Sequence, residues 1–353
     1  MLKSKARLFV TLIALTLIFA AVTLLRHSFV TSYSETVRIV VAGDGRAEYP
    51  WNSRRVEDDE GINKTITGEI ADAVLKENAQ ILLWTGDFTN VTDKNPGTFR
   101  KQLYAWRKII QPLYDHKVTV LPVRGNHEVY RHDTGADEPI PILDAKEGWN
   151  EVFSGQYALP TNGPENEKNL SFYYIRGSVL CIGLDQYANP LGHLVNQSWL
   201  DQVLKDYRRP FVFVYGHEPA FMSGSHSIND TLGANAAARN AMWESLIRAG
   251  ARVYLCGHDH LYDHTTVVRA SAEPGPEMHQ LTAGTAGAPF YHGRSYNGDD
   301  SSWKLDSIEH IENTYGYILI TIEKNKAIIT FKGRISPGRY EPMGTLRYIA
   351  SMP

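Results

Sequence analysis

The chain has few cysteines and no excess of basic residues. Only two of its 353 residues are cysteines, and Cys181 and Cys256 both lie in apolar runs, which predicts buried thiols rather than a disulfide-rich scaffold. A single disulfide between them stays open, because the sequence does not show whether the two sulfurs meet. The net charge is -3, from 36 Lys and Arg against 39 Asp and Glu. Nucleic-acid binding therefore has no electrostatic support.

Internal repeats and low-complexity tracts are also lacking, and there is one long hydrophobic run. Three basic residues precede an uncharged segment, residues 8–25. At a rise of about 1.5 Å per residue this segment is about 27 Å long, enough to cross a bilayer core as a helix. A cleaved signal peptide is the alternative, but Ile18-Phe19-Ala20 is a poor cleavage site.

The segment therefore predicts an uncleaved membrane anchor. We expect residues 1–30 to comprise a cytoplasmic stub and a transmembrane helix, because basic residues precede the span. Residues 31–353 are then expected to form one extracytoplasmic domain, periplasmic or on the cell surface.

Five apolar runs rich in Val, Ile and Leu each end in glycine followed by a polar residue. Such runs predict buried strands that end in loops. They cover residues 37–42, 81–85, 118–123, 211–215 and 252–256. Helical spacing at residues 65–78 and 96–115 separates the first three, and this alternation predicts a layered α/β domain.

The remaining pattern predicts two more helices and two hairpins. The helices are expected at residues 197–207 and 239–249, and a hairpin over residues 170–185 is expected to turn at Gly177-Ser178. A closing hairpin is expected over residues 316–331. Residues 130–168 lack sustained periodicity, which predicts a long functional or mobile loop.

Polar residues beyond the ends of the five strands form one candidate site. In open sheets with helical crossovers, ligands bind in the crevice beyond the carboxyl ends of the strands. Two carboxylates, one amide oxygen and three imidazoles are expected at this rim: Asp44, Asp87, Asn126, His217, His258 and His260. A mixed oxygen and nitrogen set suits divalent transition metals, and six ligands are enough for two ions.

Taken together, the clusters resemble the calcineurin-like metallophosphoesterase superfamily. The motifs that carry the resemblance are Gly43-Asp44, Gly86-Asp87, Gly125-Asn126-His127-Glu128, Gly216-His217 and Gly257-His258-Asp259-His260. Their details fit the purple acid phosphatase branch, since Val214-Tyr215-Gly216-His217 matches its Val-x-x-His motif. His226 lies nine residues further, where those phosphatases often place a second histidine facing the substrate. The resemblance runs from about residue 37 to about residue 331 and implies a four-layer α/β/β/α sandwich.

The resemblance also implies the role of each residue. Asp87 bridges two ions, which are divalent or trivalent Mn, Fe, Zn or Co. The other implied ligands are Asp44 and His260 for the first ion, and Asn126, His217 and His258 for the second. A metal-bridging hydroxide attacks phosphorus, His127 is the general acid, and His226 assists it.

Two positions depart from the family pattern. Many members carry a histidine two residues after the first aspartate, where this chain has Arg46, and purple acid phosphatases carry a ligand tyrosine where it has Asn90. We therefore expect a weaker first site, completed by Asn90 or water, and no tyrosinate-to-iron absorption. Arg46 either binds a phosphate oxygen pair through its planar fork or forms an ion pair with an acid such as Glu48.

The expected function is phosphomonoester hydrolysis. The alternatives are a phosphodiesterase acting on nucleotides, lipid headgroups or wall polymers, and a non-catalytic scaffold that keeps the metal-binding fold. The sequence fixes neither the metal nor the substrate, and the oligomeric state stays open.

Overall fold

The computed structural model describes residues 35–47, 61–93, 97–133, 136, 138–189, 192–271, 275–293, 298–299 and 302–349. Within these ranges no helix is both long and apolar enough to cross a membrane. The expected anchor at residues 1–30 lies outside the described residues, as does Glu48.

Six α-helices occur in the described residues. In chain order they are α1 (Lys64–Lys76), α2 (Phe99–Ile109), α3 (Gln111–Asp115), α4 (Ala145–Val152), α5 (Gln197–Asp206) and α6 (Ala236–Arg248). Three begin at an asparagine, Asn63, Asn196 or Asn235, whose side chain accepts a hydrogen bond from the backbone N–H three residues on. This satisfies a donor that the first helical turn leaves unpaired and fixes where these helices start.

The strands are numbered in chain order from β1 to β16. They are β1 (Val37–Ala42), β2 (Ile81–Trp84), β3 (Thr119–Pro122), β4 (Tyr130–Arg131), β5 (Ile140–Pro141), β6 (Phe172–Arg176), β7 (Val179–Gly183), β8 (Phe211–Tyr215), β9 (Val253–Cys256), β10 (Tyr262–Arg269), β11 (Met278–Ala283), β12 (Gly298–Asp299), β13 (Trp303–Ile311), β14 (Gly316–Glu323), β15 (Lys326–Ser336) and β16 (Arg339–Ile349).

Two large sheets contain most of these strands. The first has the order β16-β15-β14-β1-β2-β3, and the second β12-β13-β10-β11-β9-β8-β7-β6; β4 and β5 pair separately. In the first sheet β1, β2 and β3 are parallel, and in the second β7, β8 and β9 are parallel. The carboxyl ends of these parallel strands carry the polar clusters. The prediction of a mixed α/β fold is confirmed.

Two hydrophobic cores hold the layers together. The larger core combines residues of both sheets, such as Leu83 of β2 and Leu255 of β9, and it also includes the buried face of α1. The smaller core packs the second sheet against α5 and α6, through residues such as Val214 and Trp243. The five strands that precede the polar clusters are almost wholly buried.

The prediction of one helix over residues 96–115 was wrong, because the chain forms α2 and α3 with a break at Ile110. Pro112 has no N–H to donate to the carbonyl four residues earlier, and its ring crowds that carbonyl, so the helix cannot continue through it. Pro112 is accommodated in the first turn of α3, where that N–H would be unpaired in any helix.

The prediction of one long loop over residues 130–168 was wrong as to secondary structure. This stretch contains β4, β5 and the eight-residue helix α4. The buried face of α4 has helical spacing, but two of its four positions are Ala145 and Gly148, so the apolar signal was weak. Its remaining positions, Trp149 and Val152, are fully buried in the larger core.

Candidate metal centre

Three site residues adopt a left-handed backbone conformation at the strand ends. The φ angles are 62° at Asp44, 55° at Asp87 and 71° at His258, and a glycine precedes each of them. This conformation is uncommon for residues with a side chain and clusters at functional sites, where the surrounding structure maintains it. The sharp turn aims each side chain across the rim rather than along the strand.

Glycine is required at Gly125 and Gly257 for close approach. A Cβ atom at Gly125 would collide with the Asp87 carboxylate, and one at Gly257 would collide with the Asp44 carboxylate. The small residue in each motif therefore makes room for a site carboxylate from another strand.

Glu128 locks the Asp87 loop in place. Its buried carboxylate accepts hydrogen bonds from the backbone N–H groups of Asp87 (2.8 Å), Phe88 (2.9 Å), Thr89 (3.1 Å) and Gly125 (2.9 Å). Burial and the nearby Asp87 raise the pKa of Glu128 to about 7. Glu128 thus joins the loop after β2 to the loop after β3.

His217 presents a lone pair to the site. Its Nδ1 lies 2.8 Å from the carbonyl oxygen of Thr85, which only accepts, so Nδ1 carries the proton and Nε2 does not. Burial lowers the pKa of His217 to about 4, which keeps the ring neutral. A carbonyl that orients the opposite nitrogen is the usual support of a metal-binding histidine.

The His217 lone pair faces other acceptors. Nε2 of His217 lies 2.9 Å from Oδ1 of Asn126 and 3.4 Å from Oδ1 of Asp87. Nδ1 of His258 lies 3.0 Å from the same nitrogen. The lone pair of His217 and the two oxygens repel one another unless a cation lies between them. We name Asp87, Asn126, His217 and His258 the second-ion half of the site.

Asp44, Asp87 and His260 form the other side of the rim, which we name the first-ion half. Nδ1 of His260 donates to the carbonyl of Pro289 (2.7 Å), so its Nε2 is unprotonated and lies 3.6 Å from Oδ1 of Asp44. Both oxygens of Asp44 accept from the backbone N–H of His258 at 3.1 Å.

Arg46 extends into the first-ion half. Its Nη2 lies 3.4 Å from Nε2 of His260 and donates to the hydroxyl of Tyr291 at 3.1 Å. Its Nε lies 3.7 Å from Oδ2 of Asp87. Arg46 therefore points into the site and pairs with Asp87, and phosphate binding by its fork stays a prediction.

The charge balance of the rim fits a bound cation. Burial, followed by repulsion from Asp87, raises the pKa of Asp44 well above its ordinary value, and burial raises that of Asp87 to about 6. Possible ligand atoms of Asp44, Asp87 and His217 all lie within 4.8 Å of one another. Two buried carboxylates with this spacing are stabilised in their charged forms by a positive ion between them.

The two histidines expected to act in catalysis flank this cluster. Nε2 of His127 lies 3.8 Å from Oδ2 of Asp87, and its Nδ1 is buried without a hydrogen-bond partner among the described residues. The ring of His226 stacks on that of His258 with centroids 3.8 Å apart. Burial, followed by Arg46, lowers the pKa of His127 well below its ordinary value.

Asn90 was expected near the first ion. Its Nδ2 donates to the carbonyl of Ala47 (3.1 Å), and its backbone N–H donates to Oε1 of Gln102 (2.7 Å). These contacts place it beside the loop that carries Arg46.

Three residues near the site were not given functional roles from the sequence: Glu128, Asp259 and Tyr291. Oδ1 of Asp259 accepts from Nδ1 of His226 at 2.8 Å, and the ring of Tyr291 stacks on His260 with centroids 3.8 Å apart. Glu128 and Asp259 stand inside the motifs that identified the ligands, so an acid in a buried motif was the available signal. Tyr291 follows the last motif by 31 positions and gave no such signal.

An α/β fold that gathers carboxylate, amide and imidazole groups at the ends of its parallel strands has the donor set of a transition-metal site. The sequence model of the calcineurin-like phosphoesterase family matches residues 38–262, most of the chain. The chain belongs to this family of dinuclear metal-dependent phosphoester hydrolases. The resemblance inferred from the motifs is confirmed.

Known relatives agree with this assignment. The chain is 26% identical to tartrate-resistant acid phosphatase type 5 of Rattus norvegicus over 243 residues, which are 65% of this chain and 68% of the relative. It is 24% identical to the Homo sapiens protein of that name over 336 residues, 90% of this chain and 96% of the relative. The solved purple acid phosphatase PPD1 from yellow lupin, Lupinus luteus, superposes with a TM-score of 0.63 at 13% identity. That match covers 90% of this chain and 54% of the lupin chain, and it shows a shared fold.

Proposed function

We propose that the chain hydrolyses phosphomonoesters with two metal ions that share Asp87. The observation that carries the proposal is the convergence of possible ligand atoms of Asp44, Asn126 and His217, from separate strand ends, around Asp87. The other proposed ligands are Asp44 and His260 for the first ion, with Asn90 as a further candidate, and Asn126, His217 and His258 for the second. The ions are Mn, Fe, Zn or Co, because all of them suit this donor set.

When bound, the ions lower the pKa of coordinated water and offset negative charge on the phosphoryl group. The residues around them then orient the ester. His127 lies beside Asp87 with a buried, unpartnered Nδ1 that is free to contact the leaving oxygen. Its pKa is low in the free site, so its role as general acid requires the negative charge of a bound phosphoryl group to raise that pKa. Arg46 supplies a fixed positive charge and a planar fork for phosphoryl oxygens.

His226 is proposed to assist on the opposite side. Asp259 accepts from its Nδ1, so Nε2 is the nitrogen left to contact a substrate. Stacking on His258 keeps the ring beside a proposed ligand of the second ion. His226 is therefore oriented before any substrate arrives.

Comparative turnover of a nitrophenyl phosphate and a bis-nitrophenyl phosphate tests the choice of substrate class. We expect the monoester to be cleaved faster, in keeping with the acid phosphatase relatives. If the bis-nitrophenyl phosphate were cleaved faster than the nitrophenyl phosphate, the proposed function would instead be that of a phosphodiesterase. No turnover of either ester with Mn, Fe, Zn or Co would favour a non-catalytic scaffold.

We also propose a membrane location and a layer order. Residues 8–25 anchor the chain, residues 31–353 form one extracytoplasmic domain, and that domain stacks as helices, sheet, sheet and helices. The supports are the uncharged 8–25 run behind three basic residues and the two cores on either side of the second sheet. A blot of an exported fusion tests the anchor, since an uncleaved anchor leaves the full-length mass and cleavage reduces it.

A further inference from the structure

The two halves of the site differ in what their acceptor atoms face. In the second-ion half, the lone pair of His217 meets the oxygens of Asn126 and Asp87 at 2.9 and 3.4 Å. In the first-ion half, the lone pair of His260 meets a donor, Nη2 of Arg46, at 3.4 Å. Arg46 therefore places a positive charge against His260 in the first-ion half, and it approaches the second-ion half through the shared Asp87, at 3.7 Å.

Arg46 is held in this position from several directions. Its backbone N–H donates to the carbonyl of Asp87 at 3.2 Å, and the backbone of Arg46 forms an isolated antiparallel β-bridge with Ile62. Its Nη2 donates to Tyr291, whose ring stacks on His260. The residue is 8% exposed, and its Nε has no hydrogen-bond partner among the described residues. The guanidinium is therefore enclosed by the groups that form the first-ion half.

We propose that Arg46 occupies the place of the first ion, so that this chain binds one ion tightly and the first ion only in competition with Arg46. The inference rests on the proposed function, because it assumes the ligands assigned there. A guanidinium stays protonated throughout the ordinary pH range, so the first ion must displace a permanent positive charge. From this position the guanidinium of Arg46 would also contact the phosphoryl oxygens that the first ion would otherwise contact.

Metal titration of three proteins tests the proposal without measuring turnover. The wild type, Arg46→His and Arg46→Lys are stripped with a chelator and titrated with Mn²⁺, followed by calorimetry and electron paramagnetic resonance. In the wild type we expect one tight site and a second that is weaker by about a hundredfold or more, on the order of like-charge repulsion at about 4 Å. Arg46→His removes the charge and supplies a nitrogen ligand, so the weaker site should tighten and a spin-coupled Mn pair should appear.

Arg46→Lys keeps the positive charge and should titrate like the wild type. Arg208→His is the matched control, because Arg208 is exposed and precedes β8, whereas the site follows the end of that strand. An unchanged tight site in each variant shows that the fold is intact. Should Arg46→His lose that site, Arg46→Gln replaces it and should tighten the weaker site to a smaller degree.

Two equally tight sites in the wild type would overturn the inference and leave the proposed function standing. The inference would also be overturned if Arg46→His and Arg46→Gln bound Mn²⁺ at the weaker site with the same affinity as the wild type. If the wild type bound no ion, the inference and the proposed function would fall together.

Discussion

The second-ion half and the first-ion half of the site are built from the same kinds of side chain but are balanced differently. In the second-ion half, the unprotonated Nε2 of His217 lies 2.9 Å from Oδ1 of Asn126 and 3.4 Å from Oδ1 of Asp87, two oxygens that only accept. In the first-ion half, Arg46 lies between His260 and Asp87. The difference teaches that ligand types alone do not decide how strongly a site binds, because a neighbouring charge can take the place of the ion.

The largest effect is expected from Asp87→Asn, since Asp87 belongs to both halves. We expect a loss of turnover of at least about a thousandfold, because a neutral amide no longer offsets two neighbouring cations. Nitrophenyl phosphate kinetics and metal analysis measure this. Asp72→Asn, on the exposed face of α1, is the control and should match the wild type. Full activity in Asp87→Asn would remove the basis for treating the two halves as one centre.

Glu128→Gln asks whether the second-ion half is set by the fold before metal binds. An amide oxygen cannot replace both carboxylate oxygens, so buried backbone N–H groups lose their charge-assisted bonds. We expect a loss of about 2–4 kcal/mol of unfolding free energy, measured by urea denaturation of the metal-free protein. The exposed Glu147→Gln is the control. Equal stability of both variants would show that Glu128 does not hold the Asp87 loop.

Asp259→Asn tests the support of His226 beside the second-ion half. Asp259 is buried and accepts from both the ring and the backbone N–H of His226. We expect kcat to fall by roughly ten- to a hundredfold with bound metal unchanged, because the proposed role of His226 is to contact the substrate and not the ion. Steady-state kinetics with metal analysis separate the two effects. Loss of bound metal together with kcat would instead place Asp259 in support of the ions.

His310→Gln tests the segment behind the first-ion half and should have the smallest effect. His310 bonds to Asp263 and to the carbonyl of Gly293, two residues after Tyr291. The hydrogen bond to Asp263 raises the pKa of His310 to about 9. Its stabilising effect is therefore complete below about pH 6.5, its ordinary pKa, and is lost as the pH rises through about 9.

We expect the variant to melt about 1–2 °C lower than the wild type at pH 6.5, equivalent to about 1 kcal/mol, and the gap to close near pH 10. Thermal melts across this range measure the gap. A gap that stays constant with pH would mean that the charge of His310 does not contribute.

Much of the fold followed from local pattern. The five strands before the polar clusters lie within one or two residues of their predicted bounds, because continuous apolar runs closed by glycine have few other solutions. Two features were not predicted, the helix break at Ile110 that Pro112 causes and helix α4, and both omissions also have local causes. A proline is tolerated in the first turn of a helix, so Pro112 did not by itself show that one helix ends and another begins. In α4, the small residues Ala145 and Gly148 occupy two of the buried positions, so the sequence shows little apolar periodicity there.

The sequence by itself determined the family, the order of the motifs along the chain and the chemical types of the proposed ligands. It could do so because each motif is local and follows its own strand. Only the tertiary structure decided which atoms face one another. It turned Arg46 toward His260, set Asp259 behind His226 and brought Tyr291 over the rim. These contacts join residues 31 to 214 positions apart, and the packing of two sheets, not any local pattern, sets such distances.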